Sequence, residues 1–168
     1  LAYGAHRPHL PWNVPRYFWE LYDTESIALP KHGYGPVGMP QIAFTYECDG
    51  KTTVDCLGES APIPYPAAAT ALPPNMTRSL RRGYYAAVSW TDYLIGELMD
   101  TLEAVGVVHN TIIALLGDHG WQLGEHNIWG KHTNFELGTR VPLMISVPGV
   151  TTNGGTSHRP SKRQRHQG

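Results

Sequence analysis

Six consecutive residues, Thr111-Ile112-Ile113-Ala114-Leu115-Leu116, form an apolar run that stops abruptly at Gly117-Asp118-His119-Gly120. A run this short and unbroken has no polar face. It predicts a strand covered on both sides, as at the centre of a parallel sheet. A carboxylate and an imidazole at the carboxyl end of such a strand stand where α/β sheets gather their ligands. The feature therefore locates the candidate chemistry at the end of a buried strand.

The flanking segments fit the same architecture. Apolar positions at Leu80, Tyr84, Val88, Leu94, Ile95, Leu98, Leu102 and Val105 recur mostly at spacings of three, four and seven, which predicts a helix from about Thr77 to Val105 with one buried face. Thr77 is the candidate cap of its first turn and Gly106 its stop. Downstream, Pro142-Leu143-Met144-Ile145-Ser146-Val147 reads as a second buried strand, closed by a turn at Pro148-Gly149. Helix, strand, loop and strand in this order imply an α/β sandwich, with the helix packed on the face of a sheet in which the two strands are neighbours.

The remainder is loop-rich. The opening LAYGAHRPHLPWNVP carries three prolines and reads as a stiff loop, a short helical piece is expected around Tyr17 to Tyr22, and 18 Gly and 14 Pro point to long connections. No apolar stretch approaches the roughly 20 residues of a membrane span. Thirteen Lys and Arg against 14 Asp and Glu leave a net charge of −1, so an acidic ligand must be held by a local cluster. Residues 151–168 lack apolar periodicity and read as a disordered basic tail; the KRQR cluster is too short to argue for nucleic acid. Cys48 and Cys56 lie close enough in sequence to form a disulfide in an oxidising compartment, or stand as two separate thiols. Asn75-Met76-Thr77 matches the N-glycosylation acceptor pattern.

Between the two predicted strands, Asp118, His119, Glu125, His126, Lys131 and His132 concentrate metal ligands, acids and cations in one short stretch, with Gly120 and Gly124 allowing close turns. A lone Asp-His pair is most often a turn cap beside a surface histidine, but this pair is not alone. The string TIIALLGDHGWQLGEHNIWGKHTNFELGTRVPLMISVPG resembles the sulfatase family's succession of buried strand, Asp-His-Gly turn, Leu-Gly-Glu-His segment, downstream Lys and Arg-Val-Pro-Leu. The helix segment RRGYYAAVSWTDYLIGELMDTLEAVG resembles the one that precedes this strand in the family. The opening HRPHLP is similar to a His-x-Pro-His-x-Pro loop found in members that act on 2-O-sulfated iduronate. The resemblance spans residues 1 to 150, is weak between Lys31 and Pro74, and is absent after Val150.

The resemblance implies an alkaline-phosphatase-like α/β/α sandwich, here a partial domain over residues 1–150, belonging to a sulfuric ester hydrolase that uses Ca²⁺ and a formylglycine nucleophile. Carried onto this sequence, Asp118 is a calcium ligand, His119 its neighbour in the metal site, Lys131 a cation on the sulfate and His9 a substrate contact. Chemistry favours Asp118 as ligand over His119, because calcium prefers oxygen donors. Glu125 and His126 are expected to support the loop from behind the ligands, His6 to be structural, and Arg140 to be a structural partner at the start of the second strand. The implied substrate is a sulfated glycosaminoglycan of the heparan or dermatan type, and the implied compartment is lysosomal or extracellular; neither nucleic acid nor membrane is an expected partner.

Neither Cys48, followed by Asp49-Gly50, nor Cys56, followed by Leu57-Gly58, stands in the family's Cys-x-Pro-Ser-Arg motif, and the paired aspartates that complete the calcium site are missing. A chain that starts at Leu1 and enters a motif within ten residues reads as a fragment whose nucleophile lies upstream, inactive by itself. Gly117 stands where the family commonly has Ser. Two other readings stay open: a phosphatase or phosphodiesterase of the same superfamily, and a non-catalytic piece that binds metal or sulfated glycan.

Overall fold

The computed structural model describes residues 1–40, 43, 71–151 and 154–155. Cys48, Cys56 and nearly all of the basic tail lie outside the described residues. In chain order the elements are helix α1 (Arg16–Glu20), a 3-10 turn at Thr24–Ser26, the long helix α2 (Pro74–Ala104), strand β1 (Ile113–Leu116), the short hairpin of β2 (Gln122–Leu123) and β3 (Trp129–Gly130), helix α3 (Glu136–Thr139) and strand β4 (Leu143–Ser146).

The expected long helix is present but starts earlier. Pro74 occupies its first turn, where a missing N–H costs nothing, and no side chain caps that turn. Thr77 is buried inside the helix and donates its hydroxyl to the Leu72 carbonyl, correcting its expected role as cap. Gly106, at φ +74°, ends the helix as expected. Only the first half has a buried face, made of Thr77, Leu80, Gly83, Ala86 and Ala87. That face is narrow because small residues line it: a Cβ on Gly83 would stand 2.7 Å from Trp12 and 2.9 Å from Trp19. Tryptophans from the opening loop and α1 seat directly on the helix backbone.

The core lies between α2, the opening loop and the β2–β3 hairpin, where Leu10, Trp12, Leu72, Leu80, Ala87, Trp121, Leu123 and Trp129 pack together. Three indoles supply much of its apolar area.

β1 and β4 are neighbours in one sheet, as expected, with Ile113 opposite Ser146 and Leu116 opposite Leu143. They run antiparallel, which overturns the expected parallel arrangement. The connection explains the direction: after β1 the chain folds into the hairpin and α3 and comes back at the same end, where the Gly117 N–H donates to the Pro142 carbonyl (3.1 Å). A parallel return needs a crossover to the other end. The expected two-sided burial also fails, since every residue of β4 is exposed and β1 alternates between exposed and half-buried. α2 packs on β2 rather than across this sheet, because its small-residue face is taken by the tryptophans. The result is a mixed α/β unit, part of an α/β/α sandwich.

Candidate active site

Asp118 and His119 follow β1 at its carboxyl end. The Asp118 carboxylate, 84% exposed, accepts the His119 backbone N–H through Oδ1 (3.0 Å), while its Oδ2 lies 3.3 Å from His119 Nε2. His119 Nδ1 is 2.8 Å from the Gly120 carbonyl, an acceptor only, so Nδ1 carries a proton and donates. In a neutral ring Nε2 is then a lone pair facing a carboxylate oxygen. Two acceptors at 3.3 Å repel unless a proton or a cation lies between them.

Gly120 is where the segment following β1 meets α3: its N–H donates to the Gly138 carbonyl (2.9 Å), and a Cβ there would lie 1.9 Å from the Leu137 carbonyl oxygen. Trp121 follows, buried, with its indole Nε1 making no hydrogen bond. The hairpin register pairs Gln122 with Gly130, so extending it by one residue sets Trp121 opposite Lys131. The Lys131 ammonium stands 6.0 Å from the centre of the Trp121 ring, in cation–π range. Lys131 thus stands at the open end of the hairpin, and Asp118 lies three residues before Trp121 on the chain that enters it.

α2 supplies the floor. Tyr84 packs on Trp121 (6.4 Å between ring centres) and edge-on to Trp12 (6.0 Å). Burial, and secondarily the negative charge of Asp118, hold the Tyr84 phenol above its ordinary value, so it stays protonated. The opening loop reaches this floor through Trp12, whose indole donates to the Pro8 carbonyl (3.0 Å). Thr91 of α2 and Arg7 pin the same loop, the former to the Arg7 carbonyl and the latter to the His9 carbonyl. His9 donates from Nδ1 to the Leu10 carbonyl (2.8 Å) and stacks on His6 (4.8 Å), leaving Nε2 as the nitrogen directed by the loop. An aromatic column of Trp12, Tyr84 and Trp121 therefore runs from the His9 loop to the hairpin that carries Lys131.

The closed end of the hairpin holds Glu125 and His126. Glu125 pairs with Arg81 of α2 at 2.9 Å, and His126 shares a 3.0 Å contact with Gln122 and stacks on Phe135 (4.0 Å). Both sit behind the mouth. Arg140 is exposed, and its guanidinium lies 3.5 Å from the Glu136 carboxylate one turn away. Among the described residues no three His, Cys, Asp or Glu side chains cluster as a metal cage. Trp121, Tyr84 and Arg81 were not singled out from sequence as site residues. In sequence Tyr84 stands out only as one of the helix's apolar positions, and Trp121 only by lying three residues after Asp118.

A family model described as Sulfatase matches residues 4–167. Iduronate 2-sulfatase of Mus musculus is 39% identical over 151 residues, which are 90% of this chain and 27% of that protein; the Homo sapiens enzyme is 37% identical over 153 residues, 91% and 27% respectively. Among solved structures, the phosphonate monoester hydrolase SpPMH from Silicibacter pomeroyi superposes with a TM-score of 0.62 at 24% identity, over 85% of this chain and 27% of that one. The chain spans about a quarter of the length of these relatives. The likeness to the phosphonate hydrolase shows the alkaline-phosphatase-like fold. Among the described residues no helix is long and apolar enough to cross a membrane.

Proposed function

The chain belongs to the sulfatase family, and we propose that it supplies one wall of the active centre of a sulfuric ester hydrolase. The observation that carries this reading is the hairpin mouth, where Lys131 stands over Trp121 and the Asp118–His119 pair sits on the adjoining arm. A sulfate ester carries its negative charge on non-bridging oxygens, and an ammonium held at the rim of a dry aromatic floor offsets that charge far better than one in bulk water. In this reading Lys131 binds the sulfate, His9 contacts the sugar through Nε2, and Tyr84 stays neutral beneath them.

Asp118 and His119 are the proposed metal residues. Asp118 offers hard, exposed oxygens suited to Ca²⁺, and a cation would relieve the opposition of Oδ2 and Nε2. Calcium takes six to eight oxygen ligands, so these two residues are part of a site and the other donors must come from elsewhere. Bound calcium would add positive charge beside the sulfate. The attacking group also has to come from elsewhere, because neither cysteine stands in the formylglycine-forming motif. The identity to two iduronate 2-sulfatases and the HRPHLP loop support 2-O-sulfated iduronate of heparan or dermatan sulfate as substrate, with a lysosomal or secreted setting. Residues 1–150 are the proposed partial catalytic domain, and 151–168 a tail.

The test is aryl-sulfate turnover by a full-length sulfatase that carries this segment, compared with the 168 residues alone. The isolated chain is expected to show none. In the full-length protein Asp118→Ala should abolish turnover and Lys131→Ala should lower kcat by roughly a hundredfold. Equal rates from chain and full-length protein would place the nucleophile inside these residues and overturn the mechanism. Because the same cation and carboxylate suit a phosphoryl group, a phosphonate monoester belongs in the assay; faster turnover of it than of the sulfate would establish the phosphoryl reading instead.

A further inference from the structure

We propose that Arg81 and Glu125 are positioning residues for Lys131, acting by clamping the hairpin to the long helix; the inference rests on the reading of Lys131 as the sulfate-binding cation. The clamp has a specific geometry. Arg81 Nη1 donates both to Glu125 Oε1 (2.9 Å) and to the Leu123 carbonyl (3.0 Å), while Glu125 Oε2 accepts the Leu123 N–H (2.7 Å). Both backbone polar groups of one β2 residue are thereby taken by a single ion pair. Arg81 Nη2 also donates to the Tyr85 hydroxyl (3.1 Å), and its guanidinium lies 5.9 Å from that ring, which fixes the arginine from the helix side. The side chains are only 12% and 22% exposed, so water competes little for either charge.

The turn beyond Leu123 needs such a clamp. Gly124, His126 and Asn127 all take positive φ (+94°, 57° and 58°), and the last two are not glycines. Left-handed backbone at non-glycine residues persists only where surrounding contacts over-determine it. Here those contacts include the clamp, the His126 N–H donating to the His32 carbonyl (2.6 Å), the His126–Phe135 stack and the Trp129 ring, 2.9 Å from where a Gly124 Cβ would stand.

The consequence reaches the mouth through two-residue strands. Arg81 and Tyr84 are three apart on one face of α2, so the helix grips the closed end of the hairpin through Arg81 and the open end through the Tyr84–Trp121 contact. Lys131 directly follows β3, and its register against Trp121 is set by the β2–β3 pairing. With so few ladder bonds the hairpin cannot hold that register unaided. Loss of the clamp frees the hairpin to rock about Tyr84 and moves the ammonium off the Trp121 ring.

The experiment is an NMR titration of the 168-residue chain, held below the concentration at which it self-associates, with inorganic sulfate, following the indole N–H of Trp121, for the parent, Lys131→Ala, Glu125→Gln and Arg81→Lys. Amide dispersion establishes that each variant is folded at the temperature used. Lys131→Ala should lose the response. Glu125→Gln should raise the sulfate Kd by roughly tenfold, as for a charge-assisted contact lengthened rather than removed. The exchanged pair, Arg81→Glu with Glu125→Arg, should recover part of that loss; a residue that merely stabilises the fold would leave the Kd of folded protein unchanged. If Glu125→Gln does not fold, Arg81→Lys, which keeps the cation and loses the fork, takes its place with the same expectation. Should Lys131→Ala bind sulfate as the parent does, the sulfate-binding reading fails and the clamp's role with it. Should Lys131→Ala lose sulfate while folded Glu125→Gln or Arg81→Lys keeps parental affinity, the positioning role alone is overturned.

Discussion

At the scale of single residues, the ionisable pairs of the site come together in two ways. Asp118 and His119 are adjacent, so a strand end was enough to bring them together; Arg81 and Glu125 are 44 positions apart, and only the seating of the hairpin on α2 pairs them. Burial works against the Arg81 charge, but its hydrogen bonds to Tyr85 and Glu125 more than offset this and raise its pKa. Glu125→Ala would leave that cation buried and the Leu123 N–H unpaired, and should cost about 3 kcal/mol in a denaturant melt. A change under 1 kcal/mol would mean that water replaces the carboxylate. Tyr84 offers a second test. Its folded pKa is raised, so the stability tied to its neutral form is complete below the unfolded value of about 10 and is lost as pH rises through the higher folded value. Asp118→Asn removes the smaller cause, leaving burial, so the Tyr84 step in an ultraviolet titration should move partway down. Calcium binding at Asp118 should move it in the same direction. A Tyr84 step indifferent to both changes would place Asp118 away from the aromatic floor.

At the scale of elements, periodicity revealed α2 and composition revealed β1 and β4, while β2 and β3 escaped notice because two-residue strands have no alternation to read. Direction was not legible either. An apolar run states how much surface a strand can cover, and it was the return at Gly117–Pro142 that set β4 antiparallel. Of the large apolar residues expected to form the buried face of α2 only Leu80 is buried, whereas Val88 and Val105 are exposed, and the packing is decided by small residues. Gly83 makes room for two indoles, so Gly83→Ala should push Trp12 and Trp19 outward at a cost of about 2 kcal/mol, with a red shift in tryptophan emission. Unchanged emission and stability would show that the indoles do not rest on the helix. Gly120→Ala should be worse, since the atom it meets at 1.9 Å is backbone and cannot rotate aside.

At the scale of the whole molecule the chain is well packed at one end and open at the other. The core of α2, the opening loop and the hairpin is closed by tryptophans, whereas Ile112, Leu116, Leu143, Met144 and Ile145 are each between 47% and 68% exposed. Register places Leu116 opposite Leu143 and Ala114 opposite Ile145 on one face, with Leu115 opposite Met144 on the other, so the two-stranded sheet is apolar on both sides. A contiguous apolar surface of this kind drives association in water, and two strands alone have little independent stability. The sequence announced these residues as interior, and the family resemblance explains why: the chain spans about a quarter of its relatives' length, and the surface these strands are suited to cover need not lie within that quarter. The 168 residues by themselves should therefore bind a hydrophobic dye and self-associate as concentration rises. Leu143→Lys with Ile145→Lys, placed on the exposed strand, should suppress both without moving the tryptophan emission of the core, because neither side chain belongs to it. A monodisperse parent chain that binds no dye would show that this sheet is covered within the chain itself.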